Sequence, residues 1–206
     1  MARRMLTEEE KAQKQRVILR HALELFAAHG YEATTMGQIA DAVDLSTGTL
    51  YLYFASKQEI YTTLCMEALD KLDESFDDAF RMPAPDIRTR IYLLLYSYIN
   101  FYKNQYPYYR VMNIGLMEEK KTLPEKEEAL VEKGLSIIKK LEAPVVEGVM
   151  HGVLKPCDTF KTVVSMWVMF DGVLQLPHKP YVEALDWHLE AYYTHCIEII
   201  LNGILL

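Results

Sequence analysis

The stretch "LSTGTLYLYFASK", Leu45 to Lys57, decides the fold because it can be read in two ways. The alternation in "TLYLYF" fits a half-buried strand, whereas its flanks fit a short helix with an exposed face. Ser46 is a good N-cap for a helix over Thr47 to Phe54. Upstream, Thr35 and Gln38 have capping-box spacing ahead of "IADAV"; downstream, Ser56 and Glu59 repeat it ahead of "IYTTLCMEALDKLDESFDDAF". Helices near 35–43 and 46–53 are then joined by only a few residues around Asp44. That arrangement is a helix-turn-helix, which settles the choice in favour of helix.

The preceding segment supports this. From Thr7 to His29, Val17, Ile18, Ala22, Leu25 and Phe26 recur at helical spacing, Thr7 and Glu10 form a capping box, and Gly30 provides a left-handed stop. A helix-turn-helix sets its second helix in the DNA major groove with the N-terminal residues nearest the base edges. Those residues are Thr47, Gly48 and Thr49, small enough for close approach and able to meet a thymine methyl or a base-edge acceptor. Leu50 and Phe54 face inward, Tyr51 and Tyr53 can offer hydroxyls to phosphates, and Lys57 opens the next helix where its charge can meet a phosphate. Taken alone, the same hydroxyls and tyrosines also suit a plain solvated helix.

Composition narrows the class. Half of the 206 residues are hydrophobic, enough for a sizeable core, and no apolar run approaches the roughly 18 residues of a membrane span. The polar start "TEEEKAQKQR" does not resemble a signal peptide, so a soluble cytoplasmic protein is expected. The net charge of −7 argues against indiscriminate coating of nucleic acid. It is uneven, however: residues 1–20 hold six basic and three acidic side chains, a net +3, which leaves −10 on the remainder. A basic end on an acidic body suits contact with one polyanion through one small surface. Cys65, Cys157 and Cys196 lack metal-site or disulfide spacing and read as reduced thiols. His188 and His195, the nearest approach to a ligand pair, have no third partner in the same motif, so neither metal nor cofactor is expected.

The run "TTMGQIADAVDLSTGTLYLYFASKQEIY", Thr34 to Tyr61, with "ILRHALELFAAHGYEATT" before it, resembles the DNA-binding signature of the tetracycline-repressor-like (TetR) transcriptional regulators. The resemblance is dense over about residues 15–62. It implies an all-α homodimer with a helix-turn-helix head, residues 1–55, a connecting helix, 56–82, and a ligand-binding and dimerisation domain, 83–206. It makes Thr35, Thr47, Gly48, Thr49, Tyr51, Tyr53 and Lys57 the expected contacts to a double-stranded operator. Two positions depart from the family pattern: Asp44 stands where glycine is usual in the turn, and Thr47 where a lysine or arginine is frequent. Aspartate tolerates a left-handed turn, so the motif should survive, but the operator sequence is not transferable.

"RMPAPD", residues 81–86, ends the connecting helix. Beyond it, helical periodicity covers about 87–104, 107–118, 124–151, 158–176 and 181–203, with Pro144 expected to kink or divide the third segment. Residues 92–109 hold seven of the fourteen tyrosines, which suits either an aromatic core or a pocket with a few polar groups. With the family resemblance, the expected effector is small and largely apolar or aromatic, and its pocket is lined by Tyr96, Ile99, Met112, Leu116, Trp167 and Phe170. Arg110 and Asp171, charged residues inside apolar stretches, either anchor a ligand head or serve structural ion pairs and caps. "FKTVVSMWVMFDGVLQL" and "VEALDWHLEAYYTHCIEIILNGILL" are apolar over more than one face; they fit a buried hairpin or, as the family implies, a two-fold four-helix interface where Gly172 permits close approach. An architectural DNA-binding protein whose body takes a protein partner fits the same features. An enzyme does not, for want of a nucleophile elbow, metal constellation or coupled acid–base pair.

Overall fold

In the computed structural model, which describes residues 7–114, 124–178 and 188–206, five helices begin directly after a residue whose side chain caps them: Thr7, Thr35, Ser46, Asp86 and Asp158. Among the described residues the chain is all-α: α1 Glu8–His29, α2 Met36–Ala42, α3 Thr47–Leu50, α4 Lys57–Arg81, α5 Ile87–Asn104, α6 Tyr106–Ile114, α7 Pro124–Met150, α8 Thr159–Leu174 and α9 Leu189–Ile204. The expected segment at 181–203 falls partly outside the described residues, and its described part is α9. Packing divides the chain into two units, residues 1–70 with 106–130, and residues 71–105 with 131–206. Helices α4 and α7 each contribute to both.

In the first unit, α1 starts at a closed capping box: Thr7 Oγ1 accepts from the Glu10 amide at 3.1 Å, and Glu10 accepts from the Thr7 amide at 2.9 Å. It stops at Gly30, whose φ of 85° with ψ of 168° is open essentially only to glycine. The buried stripe of α1 is Ile18, Leu19, Ala22, Leu23 and Phe26, with Val17 and Leu25 at its margin; the face is turned slightly from the one the spacing predicts. It packs on Ile39 and Ala40 of α2, Leu50 and Phe54 around α3, Ile60 and Leu64 of α4, and Val111 of α6. Tyr61 donates to the Val111 carbonyl at 2.8 Å and Tyr108 to Glu67 at 3.1 Å, tying α6 to α4.

The second unit packs α5 against α8 and α9, and α8 against α9. Asp86 caps α5 through the Thr89 amide at 2.7 Å, and Asp158 caps α8 through the Lys161 amide at 3.0 Å. Arg90 reaches back to the Ala79 and Phe80 carbonyls at 2.7 and 3.0 Å, supplying donors that the end of α4 lacks. Helix α7 runs through Pro144 without being divided, contrary to one of the sequence expectations. One missing amide donor removes one rung, and the helical residues on either side hold the rest in place. At the end of α7, Gly148 admits the following loop: a Cβ there would lie 2.6 Å from Leu154 Cδ1. The loop then forms an isolated bridge, Leu154 with Leu205.

A cluster of charges joins α4 to α7 within this unit. Asp73 accepts from Lys133 at 2.9 Å and also from Lys140, which donates to Asp77 at 2.6 Å. Burial opposes ionisation of Asp73, but the hydrogen bonds from Lys140 and Lys133 outweigh it and hold the carboxyl below its ordinary pKa. A depressed folded-state pKa contributes stability above the unfolded value, about 3.9, and that contribution is lost as the pH falls through the folded value.

Two stability measurements follow from these contacts. Urea unfolding of Asp73→Asn should show a deficit at pH 7 that closes as the pH falls below about 4; a deficit constant down to that pH would assign it to packing instead. Gly148→Ala should cost about 1–3 kcal/mol by overpacking against Leu154, whereas a neutral substitution would mean that the loop gives way freely.

Candidate nucleic-acid interface and effector cavity

The turn between α2 and α3 is closed by backbone bonds. The Val43 amide donates to Ala40 at 3.1 Å, Asp44 to Asp41 at 3.2 Å and Leu45 to Ala40 at 3.0 Å. Asp44 lies at φ 54°, so it occupies the left-handed position where the family pattern has glycine. Thr35 caps α2 as expected: its Oγ1 accepts from the Gln38 amide at 3.2 Å, and Gln38 accepts from the Thr35 amide at 2.8 Å. The threonine hydroxyl is thus engaged in the cap, while the residue itself remains exposed.

Ser46 caps α3, accepting from the Thr49 amide at 3.1 Å and sharing a 2.8 Å hydrogen bond with the Thr49 hydroxyl. The regular helix ends at Leu50, shorter than the span to Phe54 expected from the sequence. The Leu52 and Tyr53 amides bond to Thr49 and Leu50, three residues back, so the end of the helix tightens into turns. Glycine, threonine and two tyrosines are weak helix formers, which leaves little to extend the regular helix. Leu50 is fully buried while Thr47 and Gly48 are exposed, so the small residues are carried outward on a fixed base.

Tyr51 is 51 % exposed and presents its ring to solvent. Tyr53 is half-buried and packs against the core of the unit. Its carbonyl accepts from Gln15 at 3.1 Å, which sets the end of the reading segment beside α1, the helix carrying Lys11, Lys14, Arg16 and Arg20. Lys57 donates to the Tyr31 carbonyl at 2.7 Å and lies 4.1 Å from the Tyr31 ring centroid. An ammonium has three donors, so this contact orients Lys57 without exhausting it. Nothing in the sequence pattern pairs Lys57 with Tyr31, 26 residues away.

The pocket residues expected from the sequence separate. Trp167 and Phe170 line a cavity of about 50 Å³ in the second unit, together with Phe76, Tyr98, Leu141 and Val145. Tyr96 and Ile99 do not line it: Tyr96 stacks on Tyr92, and Ile99 is fully buried in the core. Met112 belongs to α6 in the first unit, and Leu116 lies outside the described residues. Arg110 and Asp171 fall in different units. Tyr98, which was not among the expected lining residues, donates to Asp171 at 3.0 Å and faces the Trp167 indole nitrogen at 3.4 Å.

Burial pushes the Cys65 thiol up to about 12 and also raises Cys196, leaving both poor nucleophiles. Among the described residues no three His, Cys, Asp or Glu side chains are grouped to hold a metal, and no helix is long and apolar enough to cross a membrane.

The fold and the exposed turn of α3 define a helix-turn-helix DNA-binding protein. Residues 18–64 match the family described as bacterial regulatory proteins, tetR family. The chain is 26% identical over 169 residues to the uncharacterized HTH-type transcriptional regulator YhgD of Bacillus subtilis (strain 168), spanning 78% of this chain and 82% of the relative. It is 23% identical over 173 residues to a fatty acid metabolism regulator protein of the same strain, spanning 79% and 87%. In fold it is similar to the TetR family transcriptional regulator PfmR of Thermus thermophilus, with a TM-score of 0.74 and 24% identity over 90% of this chain and 97% of that one. Residues 18–64 thus carry a DNA-binding domain like that of the tetR-family regulators, and the relative matched along most of the chain is a transcriptional regulator.

The left-handed backbone at Asp44 carries its own test. Asp44→Gly should fold normally, whereas Asp44→Val should lose about 1–2 kcal/mol in thermal unfolding because a branched side chain clashes at positive φ; equal stabilities would show that the turn relaxes.

Proposed function

We propose that the protein is a ligand-responsive repressor that binds a near-palindromic operator as a homodimer and leaves it when a small, largely apolar or aromatic molecule occupies the second unit. The observation that carries this reading is the Thr47–Gly48–Thr49 turn, exposed at Thr47 and Gly48 and half-buried at Thr49, held over a fully buried Leu50. It presents small side chains to base edges from a base that does not yield. Thr35, Tyr51, Tyr53 and Lys57 flank it as backbone contacts, with the exposed Tyr51 and the oriented Lys57 best placed to meet phosphates.

Dimerisation through α8 and α9 is supported by what these helices leave outside. Val168 is 59 % exposed, Met169 55 % and Ile199 54 %, and a side chain at Gly172 would meet nothing within 4 Å in its own chain. Two copies of this helix pair form a two-fold four-helix bundle that covers those faces. The two reading helices must then stand about 34–36 Å apart to enter successive major grooves.

The effector reading rests on the apolar cavity beside Trp167 and Phe170. At about 50 Å³ it admits the end of a chain or a ring edge, far below the roughly 300–1,000 Å³ of a drug-sized site. A ligand therefore binds an opened arrangement, and differential affinity for that arrangement is what releases DNA. The name of the Bacillus relative, a fatty acid metabolism regulator, favours an aliphatic body for the ligand.

Fluorescence anisotropy with duplexes from upstream of the protein's own gene, at fixed salt, tests the reading. Selective binding released by a member of a panel of apolar and aromatic compounds is the expected result. Selective binding that no apolar compound relieves would overturn the effector part and leave an architectural role. Lys57→Ala should weaken binding on all sequences and lower the slope of log affinity against log salt by about one, with the dimer unchanged; an unaltered slope would remove Lys57 from the interface.

A further inference from the structure

The Lys57 ammonium is held from two sides by a single residue. It donates to the Tyr31 carbonyl at 2.7 Å and stands 4.1 Å from the centroid of the Tyr31 ring, within the range of a cation–π contact. The carbonyl also accepts from the Thr34 amide at 3.3 Å, so it belongs to the turn by which the chain leaves α1 through Gly30, at φ 85°. The ring is fixed separately. Its centroid lies 5.7 Å from that of the buried Phe26 and 4.8 Å from that of Tyr61, and Tyr61 is anchored by its hydrogen bond to the Val111 carbonyl.

A lysine side chain is long and flexible, and ordering it when a complex forms costs affinity. At Lys57 part of that ordering is already done, by a platform that the core of the unit keeps in place. Unlike a carboxylate, neither a carbonyl nor a ring face cancels the charge of an ammonium, and two of its three N–H donors remain for an anion. The platform therefore aims the charge without consuming it.

Resting on the reading of Lys57 as a phosphate contact, we infer that Tyr31 is a positioning residue for DNA binding: its ring and carbonyl aim the Lys57 ammonium at the backbone. Tyr31 acts through Lys57 and need not touch DNA itself. It lies outside the helix-turn-helix, 26 positions before the residue it orients.

A double-mutant cycle tests this, read by fluorescence anisotropy at fixed salt with a duplex from upstream of the protein's own gene. Tyr31→Leu removes the ring and leaves the carbonyl, and should weaken binding about two- to tenfold. Tyr31→Phe keeps the ring and should stay within a factor of about two of the wild-type protein. In the Lys57→Ala background, Tyr31→Leu should change affinity by less than a factor of about two, because the group it positions is gone. Tyr31→Met, whose flexible side chain fills the space without a ring, takes the place of Tyr31→Leu if that variant does not fold. An equal loss in both backgrounds would overturn the inference, assigning Tyr31 to packing while leaving Lys57 as a contact. No change in affinity or in salt slope with Lys57→Ala alone would remove Lys57 from the interface and overturn both.

Discussion

A helix of one turn does not hold itself together in water, because nucleation fixes several residues before any bond repays the entropy. The second helix of the helix-turn-helix, Thr47–Leu50, is that short. Its conformation comes from beneath, where Leu50 and Phe54 are set among Ile39, Ile60, Leu64 and the buried stripe of α1. The rest of the first unit can be understood as what is needed to keep Leu50 dry. Thr35 and Ser46 start the two helices, the Asp44 turn sets the angle between them, and α6 is bonded to α4 through Tyr61 and Tyr108. Because Thr47 and Gly48 are exposed and lie outside that core, they can change while the fold stays fixed. The converse also holds: a cavity under Leu50 would impair DNA binding without altering any group that touches DNA.

What could be read from the sequence was local chemistry. Thr7 with Glu10, Thr35 with Gln38, and Ser46 each advertise a helix start within four residues, and the structure begins helices at those places. Gly30 and the two prolines in 81–86 advertise stops in the same way. The length of α3 was not legible, because it depends on whether tertiary packing extends a weak helix past Leu50, and capping residues say nothing of that. Pro144 does not divide α7 for the related reason that propensity states a local cost, which a long packed helix can absorb.

The cavity residues were harder. Periodicity places Tyr96, Tyr98, Ile99 and Tyr102 on one helix, but only the angle at which α5 meets α8 decides which of them turns to Trp167. The answer is Tyr98, partnered across 73 positions by Asp171. Gly148 was equally invisible: its role is set by Leu154 six residues on, through a loop whose path depends on a bridge to Leu205. Lys57 shows a third kind of limit, since its type and position announce a phosphate contact while its resting partner, the Tyr31 carbonyl, appears only once the helices are packed.

The small size of the cavity bears on how such a regulator can respond at all. A large preformed pocket would accept a ligand in the DNA-binding and the released arrangements alike, and equal affinity shifts nothing however tight the binding. Under the proposed reading, a cavity of about 50 Å³ cannot do that, since a ligand of drug-like size must part the helices that line it to enter. On the same reading, the cost of parting them is subtracted from the apparent affinity, and the coupling to DNA follows from how much less well the parted arrangement binds the operator. Weak apparent binding and strong response are, on the proposed reading, two consequences of one tightly packed interface. The polar chain from Trp167 through Tyr98 to Asp171 ties two of these helices together. It bonds α5 directly to α8, so parting these helices breaks bonds that the closed arrangement holds.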